Sequence, residues 1–345
     1  MRLRKTLVPA VSRESLPRRK VLTLGLGCVL SGAVGWQVFA KSTKRRRVRK
    51  QAHALGSVIT LTALHENANV ANEALDRAFQ ELEEIEEVLS LYRPESQVCR
   101  LNRGETLDHA HAHLVRVLAY AQKVSTASEG AFDITVQPLW EVFRDADKQG
   151  ESPSDKDVDL ARGKVGWKRV RMSGERVHLG GEGTAITLNG IAQGYAADRV
   201  KQVLVDAGIK HALIDCGEIS PLGQSAQDAP WKVGIQHPRE SQAFVSVAEL
   251  SGRCLATSGD YATRFGDDYR CNHLFDPQTG YSPDEFASVS VVAPTAMEAD
   301  AFSTAVFVAG VERGMKLLET FPGTDAFLVL KDGRTLVTKR FPCKV

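Results

Sequence analysis

The stretch Ala287–Gly310, ASVSVVAPTAMEADAFSTAVFVAG, contains the two patterns on which the fold depends. Its first part, Ala287–Val292, predicts a strand, and Ala296–Gly310 predicts a helix. The helix carries Asp300 and Thr304 four positions apart, so their oxygens point from one face. Because the same helix continues into an apolar run, these polar side chains begin an element that is otherwise buried.

Outward from this stretch, strands and helices are mixed without strict alternation, which favours an α+β fold over a doubly wound sheet. Apolar periodicity predicts helices at Val70–Leu91, His113–Ser128, Ile191–Ala207, Ala296–Gly310 and Glu312–Phe321. Strand patterns occur at Leu55–Ala63, around Val170, Val177 and Ile186, and at His211–Ile214, Lys232–Gln236, Val245–Leu250, Cys254–Ala256 and Ala287–Val292. The most polar stretch, Asp145–Asp159, predicts a surface loop.

The charge of the chain is unevenly distributed. Residues 1–50 hold 14 of the 44 Lys and Arg residues and a single acid, Glu14. The remaining 30 basic and 41 acidic residues give Gln51–Val345 a formal charge of −11. Because phosphate neutralisation requires a basic face, this balance excludes nucleic acid as the expected partner.

The basic head predicts a targeting segment. Arg18-Arg19 precedes an uncharged run, Val21–Ala40, which is similar to a twin-arginine export signal. The run is also long enough for an uncleaved membrane anchor. We therefore expect a signal or anchor over residues 1–40, a basic linker over 41–52, a folded body over 53–345, and a periplasmic location, free or held at the inner membrane.

Six cysteines, at positions 28, 99, 216, 254, 271 and 343, form no Cys-x-x-Cys pair, so no zinc or redox motif is indicated. Five remain if the head is removed, and an odd number in an oxidising compartment leaves at least one thiol unpaired or joined to another chain. The sequence allows a Cys254–Cys271 disulfide across a hairpin without establishing it.

Two segments could bind a metal ion or an anion. Asp300 and Thr304, with Ser303 beside them, could form half of a site for a hard cation, although such a pair is also typical of a solvated helix edge. The segment ITLNGIAQGYAADRV passes from a strand through Gly190 and Gly194 into a helix. Glycines there permit close approach of a ligand to a helix N-terminus, or equally a tight packed turn.

Two further segments place polar and aromatic groups on turns. The first segment, SLYRPESQVCRLN, contains Tyr92, Ser96 and Asn102, and the second, GAFDIT, contains Phe132 followed by Asp133. The aromatic rings could stack on a ligand ring or lie at the edge of the core. In the turn-rich stretch RCLATSGDYATRFGDDYRCNHLFDPQTG, His273 could act as a base near neutral pH or be a surface histidine.

Eight ordered blocks together resemble the signature of the ApbE family, the FAD:protein FMN transferases. They are Gly56-Ser57, SLYRPES…RLN, SEGAFDITVQPL, NGIAQGYAAD, ALIDCGEISPLG, LATSGDYATRF, NHLFDPQTG and SVSVVAPTAMEADAFSTAVFVAG, over about residues 55–310. The resemblance implies an α+β fold with the flavin site between a main body and a smaller lobe. It also implies bound FAD and a divalent cation, usually Mg²⁺. The reaction implied is transfer of FMN from FAD to a Thr of a target protein, with release of AMP.

Carried over by position, the resemblance assigns site residues in three groups. Flavin or adenine contacts fall on Leu55, Tyr92, Ala131, Phe132, Asp133, Thr187, Gln193 and Leu274. The resemblance assigns the cation ligands to the Gly190 carbonyl, Asp300, Thr304 and Ser303, and it assigns the base to His273.

The chain also departs from the family pattern. Members typically have Asp at the position of Thr187, Lys or Glu at that of Gln193, and Gly-Gly where this chain has Cys216-Gly217. The NGIAQG form and the twin-arginine head are similar to the NosX-like branch, which serves the flavin-bearing NosR membrane protein of nitrous-oxide respiration. A target flavoprotein with a Thr acceptor in a membrane redox complex is thus expected. Two alternatives remain, a Mg²⁺-dependent FAD pyrophosphatase and a non-catalytic flavin-binding accessory protein.

Overall fold

The computed structural model describes residues 3–6 and 45–343, with side chains for the latter range. Its strands are β1 (Leu3–Thr6), β2 (Arg46–Ala54), β3 (Ser57–His65), β4 (Val170–Ser173), β5 (Arg176–Leu179), β6 (Ala212–Asp215), β7 (Ile219–Leu222), β8 (Trp231–Gln236), β9 (Phe244–Leu250), β10 (Cys254–Gly259), β11 (Arg264–Phe265), β12 (Cys271–Asn272), β13 (Phe286–Ala293), β14 (Asp325–Leu330) and β15 (Thr335–Thr338). The helices are α1 (Ala68–Leu89), α2 (Gln97–Asn102), α3 (Ala112–Ala127), α4 (Gln137–Asp147), α5 (Asp155–Arg162), α6 (Ala192–Asp206) and α7 (Ala296–Glu319), with a 3₁₀ turn at Trp167–Arg169.

Nine strands form one antiparallel sheet in the order β1-β15-β14-β13-β10-β7-β6-β3-β2. The pairs β4-β5, β8-β9 and β11-β12 are separate two-stranded hairpins. An antiparallel sheet with helices packed against it is an α+β architecture, so the predicted fold class is confirmed.

Two hydrophobic cores lie on the two faces of the large sheet. On one face, α1, α3, α6 and α7 bury their apolar positions against the strands, including Leu75, Leu82 and Phe302. On the other face, the β8-β9 hairpin covers Val292, Phe327 and neighbouring side chains. Strand β13 is buried along its whole length because it is covered on both faces.

A third cluster forms a smaller lobe from α4, α5 and the β11–β12 segment. Phe143 lies at its centre, with ring centroids 5.0 Å from Phe275 and 5.8 Å from Phe265. This lobe faces the end of the main body where α6 and α7 begin, and the site lies between the two.

Helix α7 is kinked at Gly310. Separate helices were expected on either side of Gly310, and Gly310 has a φ of 80°, inside the left-handed region that glycine adopts readily. The N–H of Val311 donates to Glu285 Oε2 at 3.0 Å, which caps the second half of the helix.

Three local predictions are wrong, two because of contacts distant in sequence and one because of a local helix cap. Leu55 lies in a two-residue hairpin turn with a φ of 51°, so the strand begins at Ser57. Ile186 is not in a strand because its N–H and C=O both bond to the Asn102 side-chain amide, at 2.7 and 2.9 Å. The polar stretch 145–159 is only partly a loop, since Ser154 caps a helix through the Asp157 N–H.

The five cysteines within residues 45–343 are all free thiols, so the structure does not form the Cys254–Cys271 disulfide that the sequence allowed. Across the described ranges 3–6 and 45–343, no helix is long and apolar enough to cross a membrane. The predicted signal or anchor at 1–40 lies almost entirely outside the described residues.

Candidate functional site

A cavity of about 750 Å³ lies between the main body and the smaller lobe. This volume is within the usual range of small-molecule sites. The body contributes the β2–β3 turn and the starts of α6 and α7, and the lobe contributes α4 and the segment Ala262–Phe275. Twelve of the thirteen predicted site residues line it: Leu55, Tyr92, Ala131, Phe132, Asp133, Thr187, Gly190, Gln193, His273, Leu274, Asp300 and Thr304.

Helices α6 and α7 are joined by reciprocal hydrogen bonds at their first turns. Asp198 of α6 accepts from the Ala296 and Met297 N–H groups, both at 2.9 Å, and so caps α7. In return, the Gly194 N–H of α6 donates to Asp300 Oδ2 at 2.9 Å. A Cβ on Gly194 would lie 2.3 Å from the Ala296 carbonyl oxygen, so only glycine permits this approach.

Asp300, Thr304 and Gly190 form one polar corner of the cavity. Since Oδ2 of Asp300 is held by Gly194, Oδ1 is the oxygen left for a ligand. A Cβ on Gly190 would lie 2.8 Å from Thr304 Oγ1, so the Gly190 backbone and the Thr304 hydroxyl are close neighbours. The three residues that the family resemblance assigned to a cation therefore all line the same cavity.

Ser303 is the predicted residue that does not line the cavity. Its side chain is fully buried, donates to the Asp300 carbonyl at 2.9 Å and lies 2.8 Å from Ser258 Oγ. Ser258 in turn lies 3.2 Å from Thr304 Oγ1. Ser303 therefore acts behind the corner, by positioning Ser258 and Thr304.

The corner contains a second carboxylate, Glu218, which the sequence analysis did not select. Burial raises the pKa of Asp300 to about 7. Burial also raises the pKa of Glu218 well above its usual value, and the negative charge of Asp300 raises it further. Two desolvated carboxyl groups together favour binding of a cation. An acidic residue after Cys216-Gly217, in the ALIDCGEISPLG block, was the available signal.

Gln193 holds the rim of the cavity. Its Nε2 donates to the Leu55 carbonyl and to Ser57 Oγ, both at 3.2 Å, while the Leu55 N–H donates to Glu86 Oε1 at 2.9 Å. These bonds stabilise the unusual backbone at Leu55. A Cβ on Gly217 would lie 2.9 Å from the Gln193 amide, so the glycine leaves room for this side chain.

The segment Ala131–Asp133 lines the cavity, and Phe132 packs into the core of the main body. Ala131 and Phe132 are buried, and the Phe132 N–H donates to Ser128 Oγ at 3.0 Å. Both oxygens of the Asp133 carboxylate bond within the chain, Oδ1 to Thr135 and Oδ2 to the Trp167 N–H at 2.8 Å. Asp133 therefore holds this wall together as well as lining it.

Aromatic and neutral polar groups complete the cavity. Tyr92 is 71% exposed at the opening. The guanidinium of Arg144 lies 5.0 Å from the centre of the Trp140 ring, and both residues, which the sequence analysis missed, line the lobe side. The Thr187 N–H donates to the Ile134 carbonyl at 2.7 Å, and Thr187 Oγ1 accepts from the Asn189 N–H at 3.3 Å.

His273 and Leu274 lie on the segment after β12. Nδ1 of His273 is 3.3 Å from the Thr263 carbonyl oxygen, which can only accept, so Nδ1 carries the proton and Nε2 keeps its lone pair. Burial lowers the pKa of His273, which favours this neutral form. Nearby Asp260 is fully buried and paired with Arg239 at 2.7 and 2.8 Å, so its charge is neutralised.

Fold and site together define an α+β protein with a deep cleft between body and lobe and a buried oxygen corner at the α6–α7 junction. The model of the ApbE family matches residues 55–328. The chain belongs to the ApbE family.

Relatives and solved structures agree with this assignment. The chain is 31% identical over 322 residues to a FAD:protein FMN transferase of Treponema pallidum (strain Nichols), covering 84% of this chain and 87% of the relative. It is 27% identical over 304 residues to a FAD:protein FMN transferase of Salmonella typhimurium (strain LT2), covering 85% and 87%.

The crystal structure of the ApbE protein of Thermotoga maritima superimposes with a TM-score of 0.77 at 27% identity, over 85% of this chain and 97% of that one. The apo flavinyl transferase ApbE of Pseudomonas stutzeri superimposes with a TM-score of 0.73 at 28% identity, over 86% and 95%.

Proposed function

We propose that the protein is a Mg²⁺-dependent FAD:protein FMN transferase, which moves FMN from FAD to a Thr side chain of a target flavoprotein and releases AMP. The observation that carries the proposal is the meeting of Gly190, Asp300, Thr304 and His273 in one cavity of about 750 Å³. The names of the relatives support the same activity.

The residues present fit a magnesium ion. Mg²⁺ prefers oxygen ligands and usually completes its shell with water and substrate phosphates. Asp300 Oδ1, Thr304 Oγ1 and the Gly190 carbonyl are such ligands, and Glu218 adds a second buried carboxyl. When bound, Mg²⁺ would screen the negative charge of the pyrophosphate and stabilise the leaving AMP.

His273 would supply the base. In the proposed step the Thr oxygen of the target attacks the phosphorus of the FMN half of FAD, and the bond from that phosphorus to the AMP oxygen breaks. The hydroxyl proton passes to Nε2 of His273, whose lone pair is free because Nδ1 faces Thr263. General-base assistance of this kind typically contributes about 10²–10⁴ in rate, with positioning of the reactants contributing further.

The remaining walls would hold the substrate and exclude water. Phe132 and Leu274 are buried apolar surfaces for a flavin or adenine ring, and exposed Tyr92 and half-buried Trp140 flank the opening. Thr187 and Gln193 are neutral where the family pattern has charge, so the metal corner must carry more of the orientation of the phosphates. The same two departures favour a non-catalytic flavin-binding accessory protein as the second candidate function.

One assay separates the candidates. The purified full-length chain is incubated with FAD, Mg²⁺ and an acceptor domain that carries a Thr, and both AMP and the mass of the acceptor are measured. AMP together with a flavin adduct supports the transferase. AMP alone would indicate a pyrophosphatase, and neither product would indicate an accessory protein.

We also propose that the body acts in the periplasm on a membrane-bound redox subunit, in the manner of the NosX-like branch. The proposal rests on Arg18-Arg19 and the uncharged run after them. Replacing both arginines by Lys should retain the protein inside the cell, because twin-arginine export discriminates against that change. Undiminished periplasmic protein in the double variant would contradict this route.

A further inference from the structure

A cluster of two histidines and one glutamate lies outside the flavin cavity. His111 Nε2 is 3.3 Å from Glu84 Oε1, and His113 Nε2 is 3.9 Å from the same oxygen. One ligand atom from each of the three residues lies within 4.8 Å of the others. For bond lengths of about 2.0–2.2 Å, the ligand atoms around a tetrahedral Zn²⁺ are separated by about 3.3–3.5 Å, so small side-chain movements would close the site.

The three side chains come from rigid parts of the fold. Glu84 lies on the long helix α1, His111 caps α3, and His113 lies in the first turn of α3. The loop before α3 is fixed by two bonds, from the Ala110 N–H to the Glu175 carbonyl at 2.9 Å and from the His111 N–H to Gln97 Oε1 at 2.8 Å. Sites on rigid elements lose little freedom when they bind.

His113 is oriented as metal-binding histidines usually are. Its side chain is 9% exposed, and Nδ1 lies 2.7 Å from the hydroxyl of buried Tyr195. That contact leaves Nε2 directed at Glu81 and Glu84, whose nearest oxygens are 3.8 and 3.9 Å away, beyond hydrogen-bond length. A second partner that fixes the ring and leaves the other nitrogen for the metal is a general feature of such sites.

The charge of the cluster suits a divalent cation. Glu81 forms an ion pair with Arg199 at 2.7 Å, so the charges of these two residues neutralise each other. Glu84 is 55% exposed and supplies one negative charge at the open side. Two imidazoles and a carboxylate select a borderline transition metal rather than Mg²⁺ or Ca²⁺.

We propose that Glu84, His111 and His113 form a separate metal site that binds Zn²⁺ and links α1 to the start of α3. Zn²⁺ would bind to Nε2 of His111, and the proton on that nitrogen would move to Nδ1. In the structure, Nδ1 accepts the His113 N–H at 3.2 Å. The metal bond therefore forms at the expense of this helix cap.

The test is a calorimetric titration of the full-length chain with Zn²⁺. The chain carries no polyhistidine tag, and excess Mg²⁺ is present to occupy the hard-oxygen corner. We expect one Zn²⁺ per chain. His111→Asn keeps a capping side chain but removes the imidazole, and Glu84→Gln keeps the shape but removes the charge, so each should lower the affinity by about tenfold or more. Tyr195→Phe should lower it by about 10–100-fold through the orientation of His113.

His109→Asn is the matched control. His109 belongs to the same run, is 91% exposed and lies 3.5 Å from Glu175, outside the cluster, so its replacement should leave Zn²⁺ affinity unchanged. Absence of Zn²⁺ binding to the wild type would overturn the proposal. Binding that is equally strong in the His111→Asn variant would overturn it as well, because the ligands would then lie elsewhere, for example at the thiols.

Discussion

The N–H of Gly194 donates to Asp300 Oδ2 at 2.9 Å, and this bond connects the first turn of α6 to the carboxylate at the polar corner of the cavity. With the Asp198 cap on the start of α7, it locks two helices whose first turns form one wall of the cavity. The geometry of the corner therefore depends on backbone contacts as much as on the ligand side chains.

Gly194→Ala should destabilise the fold. The new Cβ would lie 2.3 Å from the Ala296 carbonyl oxygen and 2.7 Å from Asp300 Cβ, so the helices must separate. Overpacking of this kind typically costs about 1–3 kcal/mol, measurable by urea unfolding. Gly163→Ala is the control, because it lies at an αR position with ordinary contacts of 3.4 and 3.5 Å. Equal stability of the two variants would show that the helix contact tolerates a side chain.

Asp300→Asn should uncouple the binding of metal and FAD. Mg²⁺ usually relies on substrate phosphates for further ligands, so even with Asp300 and Glu218 the corner should bind it weakly alone, and Mg²⁺ and FAD should strengthen each other's binding by about 5–150-fold. Calorimetric titration of FAD with and without Mg²⁺ measures this factor. Asp206→Asn is the control, since Asp206 is exposed on α6, accepts from Gln202 Nε2 at 2.8 Å and lies outside the cavity. Equal FAD affinity with and without Mg²⁺ in the wild type would argue against the metal corner.

A comparison of Thr304→Val with Ser303→Ala should distinguish a proposed Mg²⁺ ligand from a buried residue that only positions it. Thr304 lines the cavity, whereas Ser303 is fully buried behind it. We expect Thr304→Val to lower both the Mg²⁺ affinity and the transfer rate. Ser303→Ala should cost about 1 kcal/mol of stability through its lost hydrogen bonds and change Mg²⁺ affinity less than Thr304→Val does. The reverse order of effects on Mg²⁺ affinity would make Ser303 the ligand.

His273→Ala should leave FAD bound but slow FMN transfer by about 10²-fold or more. Because burial lowers the pKa of His273, the neutral base persists below the ordinary histidine value of about 6.5. Wild-type activity should therefore fall on acidification only below that value, as the ring gains a proton. Stopped assays across the acidic range measure this limb. A transfer rate in the variant close to that of the wild type would remove His273 from the mechanism.

The sequence brought together residues that share one cavity, but it did not predict some of the local backbone. Twelve of the predicted site residues line that cavity, because the family blocks keep their order and the glycines at 190 and 194 mark the α6 junction. The turn at Leu55 could not be foreseen, since its bonds to Glu86 and Gln193 join residues far apart in the chain.

Glu218 was missed for a similar reason. It comes near Asp300 only because β7 pairs with β10 in the large sheet, which brings the start of β7 to the corner at α7. Strand order in an antiparallel sheet depends on long-range pairing that local patterns do not encode. Ile186 shows the same limit, because its partner is a side chain, Asn102, rather than a strand.

The measurement that tests the account most directly is the balance of products in one reaction with FAD, Mg²⁺ and an acceptor domain. Fragment mass spectrometry identifies the modified atom, and chromatography quantifies AMP. The account predicts FMN on a Thr oxygen, one AMP for each adduct, and neither product with Asp300→Asn. AMP released without an adduct, or full transfer by the Asp300→Asn variant, would contradict it.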